Sequence, residues 1–408
     1  MLKTNFQEQN TGPSLPDGSA FRWLPTGAVG FEAMLSAIAE ATRGIQFEMY
    51  IFAPGPLGER FREALVAARL RGVRVQVLLD AFGSMGLPSN FWNPLIQLGG
   101  ELRWFNAFRA AERYGRRNHR KLLVVDSERA IVGGFNIGEE YNGDGVSSGW
   151  RDLGLEIRGP LAAALEESFA ELFAKVAAPP RVFPSFREPP ETAVHGRHWT
   201  LLLSEPGRGH GAFKRALLHD LTRARCVQII CAYFVPTWGL RRALMRVARR
   251  GGRVQLILAG RSDLEATRLA SHSLYAKLLR AGVEIYEYQP QILHAKLVLI
   301  DHVVYAGSAN LDARSLNINH ELMIRIADNT TAANARAIFE GDLAHCRAIE
   351  AKQWRASRNL FTRLLEKAAY FLVARIDPHI TSLRWRARAR GVLGKKAGRQ
   401  ERHTATWR

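Results

Sequence analysis

Short apolar runs alternate along this chain with stretches of helical periodicity, and the series occurs twice in the same order. Residues 45–54 (IQFEMYIFAP) and 227–236 (VQIICAYFVP) are mostly apolar and end in proline, the pattern of buried strands with a stop. Each is followed by apolar positions at helical spacing, over 57–70 and 240–250. Strand-like runs come next at 74–79 and 253–258, then at 100–104 and 282–286, and last at Leu122–Val125 and 297–300. Strands alternating with helices predict the α/β class, and the duplication predicts two similar α/β/α sandwich halves. The halves are placed at 21–178 and 195–350. Between them, 179–194 holds Pro179, Pro180, Pro184, Pro189 and Pro190, which argues against regular structure there. Residues 1–20 form a polar N-terminal segment and 351–408 a basic amphipathic tail.

The last pair of strands carries the chemistry. His119, Lys121 and Asp126 stand in His-x-Lys-x-x-x-x-Asp spacing with Gly133 and Asn136 beyond, and His294, Lys296, Asp301, Gly307 and Asn310 repeat the phrase. One such match is weak; two, each trailed by Gly-x-x-Asn, are beyond chance. In a strand, side chains two apart share a face, so each imidazole travels with an ammonium. That pair suits a phosphate: the ring can attack or move a proton, and the ammonium neutralises oxygen charge. Asn136 and Asn310 can return an amide donor to the same phosphate. Asp126 and Asp301, which complete the motif, fall on the opposite face of a regular strand and read as structural partners for backbone or basic groups.

These residues closely resemble the signature of the phospholipase D superfamily. The resemblance implies two half-sites facing across a pseudo-twofold axis and phosphoryl transfer without a metal. One histidine forms a covalent phosphohistidine while the other protonates the leaving alkoxide, then deprotonates the incoming alcohol or water. We take His119 as nucleophile and His294 as acid/base, an assignment that the internal symmetry leaves open to exchange. The family also places a carboxylate downstream of each motif to accept the second ring proton of a catalytic histidine. Asp152 and Glu321 are the candidates. No cofactor is expected, since the histidines show no metal-ligand spacing with cysteines or acids.

One difference between the halves adds a candidate. The second half joins its last matched strand to His294 by the short link 289–293, whereas the first inserts 106–118, with Arg109, Arg113, Arg116 and Arg117. These arginines, Arg113 and Arg116 above all, are expected to hold a substrate phosphate beside His119.

Fold and chemistry do not choose a substrate; charge narrows it. The chain carries +19 over 408 residues, and from Ala351 onward fifteen Lys or Arg stand against three acids. Within that tail Leu360, Phe361, Leu364, Leu365, Phe371 and Leu372 recur near helical spacing with Arg358, Arg363 and Lys367 between them. An apolar stripe with basic flanks fits an interfacial helix on an anionic membrane, and tilts the choice away from nucleic acid. Residues 1–20 lack the pattern of a signal peptide, no run is long enough to span a bilayer, and three cysteines give no disulfide framework. A peripheral protein on the cytoplasmic face of the membrane is therefore expected.

The segments Gly133–Tyr141, 307–315 and 232–234 further resemble bacterial cardiolipin synthases, in particular the B-type form, from about Phe21 to Arg347. That likeness implies a phosphatidyltransferase joining two phosphatidylglycerol molecules with release of glycerol. A hydrolase or head-group exchanger of the same fold, and a nuclease of the superfamily, are the alternatives, because the acceptor leaves no mark on the motif.

Overall fold

In the computed structural model, residues 15–106, 116–177, 193–205 and 211–376 are described. The first half builds a seven-stranded sheet from β1 (Ala20–Leu24), β2 (Gly44–Met49), β3 (Arg74–Asp80), β4 (Glu101–Phe105), β5 (Leu122–Val125), β6 (Arg129–Gly133) and β7 (Gly154–Arg158). Their order is β1-β7-β6-β5-β2-β3-β4. The second half uses β8 (Ala193–His195), β9 (Trp199–Ser204), β10 (Cys226–Cys231), β11 (Arg253–Ala259), β12 (Glu284–Tyr288), β13 (Lys296–Ile300), β14 (Val303–Gly307), β15 (Glu321–Ala327) and β16 (Cys346–Ala348). Its order is β16-β12-β11-β10-β13-β14-β15-β9-β8, so β9 to β15 reproduce the first sheet and two short strands are added at the edges. β2, β3 and β4 run parallel through helical crossovers, as do β10, β11 and β12.

The central strands are buried on both faces, which is why they read as unbroken apolar runs. Leu122 and Val124 join a core shared with Leu297 and Leu299 of the other half, together with the helices Pro160–Ala177 and Asn329–Leu343. Their alternates Leu123 and Val125 pack into the first half's own outer core, and Val298 and Ile300 into the second's. The duplicated sheets thus share one apolar layer and keep one each.

Arg151 fastens this joint. Its buried guanidinium meets Asp342 at 2.7 Å, and its carbonyl accepts the N–H groups of His294 and Ala295 at 2.8 and 3.0 Å. Removing one member of a buried pair strands the other, at a cost of about 3–5 kcal/mol. Asp342→Ala is expected to destabilise the chain by that amount in urea unfolding; a loss below about 1 kcal/mol would show that Arg151 finds other partners.

Candidate active site

Both motif histidines line a single cavity of about 730 Å³ between the halves. Neither ring sits inside its strand: β13 begins at Lys296 and β5 at Leu122, so each histidine lies in the extended lead-in. Isolated bridges hold these lead-ins, Asn118 against His320 and Leu293 against Arg151. The His119 N–H donates to the His320 carbonyl at 2.9 Å. The next residue after His320 is Glu321 and the next after Arg151 is Asp152, so each bridge delivers a carboxylate from the opposite half.

The result is a reciprocal exchange. His119 Nδ1 lies 3.1 Å from Glu321 Oε2, and His294 Nδ1 lies 2.6 Å from Asp152 Oδ2. Each acid lies downstream of one motif histidine in the sequence but contacts the other. Both acids are fully buried, which opposes their ionisation. The imidazole beside each outweighs that penalty, so both carboxyls sit below their usual range. An ionised carboxylate can only accept, so Nδ1 carries the proton and Nε2 is left for chemistry.

The acids differ by one methylene, and the turns beneath them differ to match. Gly134 and Ser308 are equivalent, donating to the Leu153 and Leu322 carbonyls at 3.1 and 2.9 Å. A Cβ at Gly134 would stand 2.0 Å from Asp152 Oδ1. The longer Glu321 clears that space, and the Ser308 hydroxyl donates to it at 2.5 Å.

Lys121 Nζ donates to the His119 carbonyl at 2.8 Å and faces the Tyr50 ring at 5.1 Å. Lys296 Nζ donates to the His294 carbonyl and lies within 3.4 Å of both ring nitrogens. Burial, with the second ammonium adding to it, brings Lys121 down to about 7; burial also lowers Lys296. Burial pulls His119 down to about 4 against the opposing charge of Glu321, and His294 is lowered by burial and Lys296. Asn136 Oδ1 accepts the Ile51 N–H at 3.1 Å while its amide donates to the Tyr141 hydroxyl at 2.7 Å. Asn310, with a buried side-chain oxygen that has no hydrogen-bond partner among the described residues, also lines the cavity.

Asp126 and Asp301 are elsewhere and line no part of the cavity. Asp126 accepts the backbone N–H groups of Thr42, Arg43 and Gly44 at 2.7–2.9 Å, and Asp301 those of Arg225 and Cys226. Both adopt positive φ, 54° and 53°, closing the hairpin after the motif strand. Both carboxylates are thus engaged by backbone N–H groups away from the cavity. Of the inserted arginines, Arg109 and Arg113 lie outside the described residues. Arg117, not Arg116, lines the cavity, its guanidinium 4.2 Å from the Phe82 ring centre. Tyr50, Tyr141 and Tyr233 ring the histidines, at 4.9 Å from His119 for Tyr50 and at 5.2 and 6.2 Å from His294 for the other two. None of the three was named as a site residue, although Tyr141 and Tyr233 fall in the segments likened to cardiolipin synthases; for Tyr50 and Tyr233 the signal was a lone tyrosine shortly before the proline that ends each first strand.

A family model described as "Cardiolipin synthase, PLD-like domain" matches residues 34–173 and 217–343. The chain belongs to the cardiolipin synthase family. It is 36% identical over 352 residues to cardiolipin synthase A of Pseudomonas aeruginosa, covering 83% of this chain and 70% of that protein. Cardiolipin synthase A of Pseudomonas fluorescens is 34% identical over 354 residues, covering 83% and 71%. These relatives carry the A-type name, whereas the motif likeness pointed to the B type. The fold matches the crystal structure of phosphatidylserine synthase from Haemophilus influenzae Rd KW20 with a TM-score of 0.69 at 14% identity, over 93% of this chain and 99% of that one. Polyphosphate kinase from Porphyromonas gingivalis shares the fold at a TM-score of 0.55 and 15% identity, over 88% and 55%.

The charge arrangement sets a pH window. For attack by His119 with a proton supplied by His294, kcat/KM should rise through about 4 as His119 becomes neutral, and fall before Lys121 discharges at about 7, because burial and Lys296 hold His294 below its usual range. Glu321 supports the charged form of His119, so Glu321→Gln should move the rising limb to lower pH. Initial rates across pH check this; a rising limb that stays in place in the variant would contradict it.

Proposed function

We propose that this cardiolipin synthase family member transfers a phosphatidyl group between two phosphatidylglycerol molecules through a phosphohistidine. His119 Nε2 attacks phosphorus and the bond to the glycerol oxygen breaks as His294 gives that oxygen a proton. The terminal hydroxyl of a second phosphatidylglycerol then loses its proton to His294 and attacks phosphorus, and the P–N bond breaks to free His119. Cardiolipin and one glycerol leave. Lys121, Lys296, Asn136 and Asn310 hold the phosphate oxygens, and Asp152 and Glu321 orient the rings and stabilise their charged forms. A bound phosphodiester brings the negative charge that lets His294 keep the proton it must donate. The observation that carries this reading is the pair of imidazoles in one cavity, each with Nδ1 on a buried carboxylate of the other half.

A lipid substrate also accounts for the helix Leu360–Phe371. Its inward face combines small apolar and polar contacts: Ala369 packs with Val235 and Ala270, and buried Glu366 takes Arg358 at 2.8 Å and stands 3.9 Å from buried His272. Its apolar stripe faces out, with Leu360 82%, Phe361 74% and Leu364 66% exposed. That inverts the usual sense of an amphipathic helix, and just past its end Leu372 and Val373 line the catalytic cavity. Burying a large apolar side chain is worth about 1.5–3 kcal/mol, against about 1 kcal/mol for each nearby cation on an anionic surface. The stripe therefore dominates, and the protein binds the cytoplasmic leaflet as a peripheral protein with the cavity mouth at the lipid. Among the described residues no helix is long and apolar enough to cross a membrane. The rest of the basic tail, 377–408, lies outside the described residues.

Incubation with phosphatidylglycerol vesicles should yield cardiolipin and glycerol in equal amounts by mass spectrometry. Salt-dependent DNA cleavage without any lipid product would overturn the reading. Phosphoprotein should be trapped in His294→Ala and absent in His119→Ala; the opposite pattern exchanges the two roles. Phe361→Ser with Leu364→Ser should lower sedimentation with the same vesicles by at least about tenfold, the loss of two buried side chains. Sedimentation equal to the parent chain would remove the helix from membrane docking.

A further inference from the structure

The two halves share a scaffold, but the cavity rims beside the two histidines differ in charge. On the His119 side, after β3, the chain presents Phe82, with Arg117 over its ring and Tyr50 against the imidazole. The acid at the end of β3, Asp80, turns inward, accepting the N–H groups of Phe82, Gly83 and Asn118 at 2.9–3.0 Å. On the His294 side, the equivalent segment after β11 presents Asp263 to the cavity. Tyr233, whose ring meets His294 edge-on, holds that carboxylate through its hydroxyl, 2.7 Å from both oxygens.

A carboxylate in the wall of a phosphodiester site is a liability unless it binds a donor. Among the described residues the Tyr233 hydroxyl is its hydrogen-bond donor, and one hydrogen fills one of about four lone-pair positions; Asp263 is exposed, so water holds the rest until a ligand hydroxyl replaces it. The other acid of this rim, Asp312, is committed elsewhere: it caps the short helix Ala313–Asn317 by accepting the Ser315 N–H at 2.8 Å. A cationic ligand is not what Asp263 lacks, because buried Lys296 already lies within its field. Neutral hydroxyls satisfy it without adding charge, as a carboxylate does for sugar hydroxyls in dinucleotide sites.

We infer that Asp263, positioned by Tyr233, is a specificity-determining residue that binds a hydroxyl next to the reacting hydroxyl of a polyol head group at His294. This rests on the transfer reaction proposed above and adds which alcohol the site selects. The alcohol oxygen that gains or loses a proton at His294 then has a neighbouring hydroxyl donating to Asp263, while the phosphate stays with the ammonium groups. A mono-alcohol leaves the carboxylate unmatched, and a site built to bond a hydroxyl discriminates against ligands without one.

The test offers labelled glycerol and 1-propanol together as acceptors on phosphatidylglycerol vesicles and reads labelled phosphatidylglycerol against phosphatidylpropanol within each sample. The ratio cancels differences in folded protein between variants. The parent chain should prefer glycerol by about tenfold or more per mole, the low end for a hydrogen bond to a charged group. Asp263→Asn and Asp263→Ala should each erase most of that preference, and Tyr233→Phe part of it. An unchanged ratio in both Asp263 variants overturns the inference, as does a parent chain with no preference. Ethanolamine outcompeting glycerol in the parent chain but not in Asp263→Ala also overturns it, by showing an ammonium site. Absence of any phosphatidylated alcohol from the parent chain would instead fail the transfer reaction itself.

Discussion

Each histidine of this protein takes its orientation from a carboxylate of the other half, and the rest of the molecule follows from that exchange. A ring whose Nδ1 proton is fixed presents Nε2 in one direction only. For both rings to present it to one cavity, the two sheets must hold their relation closely, since small misplacements of reacting groups cost large factors in rate. The shared apolar layer of Leu122, Val124, Leu297 and Leu299 supplies that rigidity without directional bonds. The bridges at Asn118–His320 and Leu293–Arg151 then set the register, placing each acid one residue beyond a backbone hydrogen bond to the opposite lead-in. Neither half has a complete site alone.

What was legible in the sequence is what the duplication repeats. The central strands announced themselves because burial on both faces leaves no polar alternation, and the His, Lys and Asn positions because they recur with the same spacing. Which acid serves which histidine was not legible: spacing along a chain carries no information about a contact 202 or 142 residues away. The Leu360–Phe371 stripe was legible as an apolar face with basic flanks suited to an interface, and the exposure of Leu360, Phe361 and Leu364 agrees with that reading. Asp263 escaped because it has no counterpart in the first half. A repeat draws attention to shared residues and away from the ones that differ.

Those differences are where two equal halves acquire unequal tasks. Buried Arg120 pairs with Glu48 at 3.0 Å behind the first motif, while Ala295 and Ile230 occupy the matching places in the second. The first rim carries arginine and aromatic surface, and the second a carboxylate and its tyrosine. The two-step transfer proposed above needs a nucleophile with its phosphate and an acid/base with its alcohol, and chemical asymmetry around symmetric imidazoles fits that division.

The same accounting of charge explains why the site suits a singly charged phosphodiester. Lys121 and Lys296 bring two positive charges, and Asp152 and Glu321 two negative ones, into a region where all four are buried. The carboxylates are satisfied by ring N–H groups, but each ammonium spends a hydrogen bond on a backbone carbonyl, and burial weakens its hold on the proton. An entering phosphodiester supplies the oxygens and the negative charge those ammonium groups lack, without overturning the balance as a dianion would. In the proposed attack at phosphorus, charge concentrates on the equatorial oxygens that the lysines are assigned to hold. Interactions that strengthen as the transition state forms are the ones that accelerate the step.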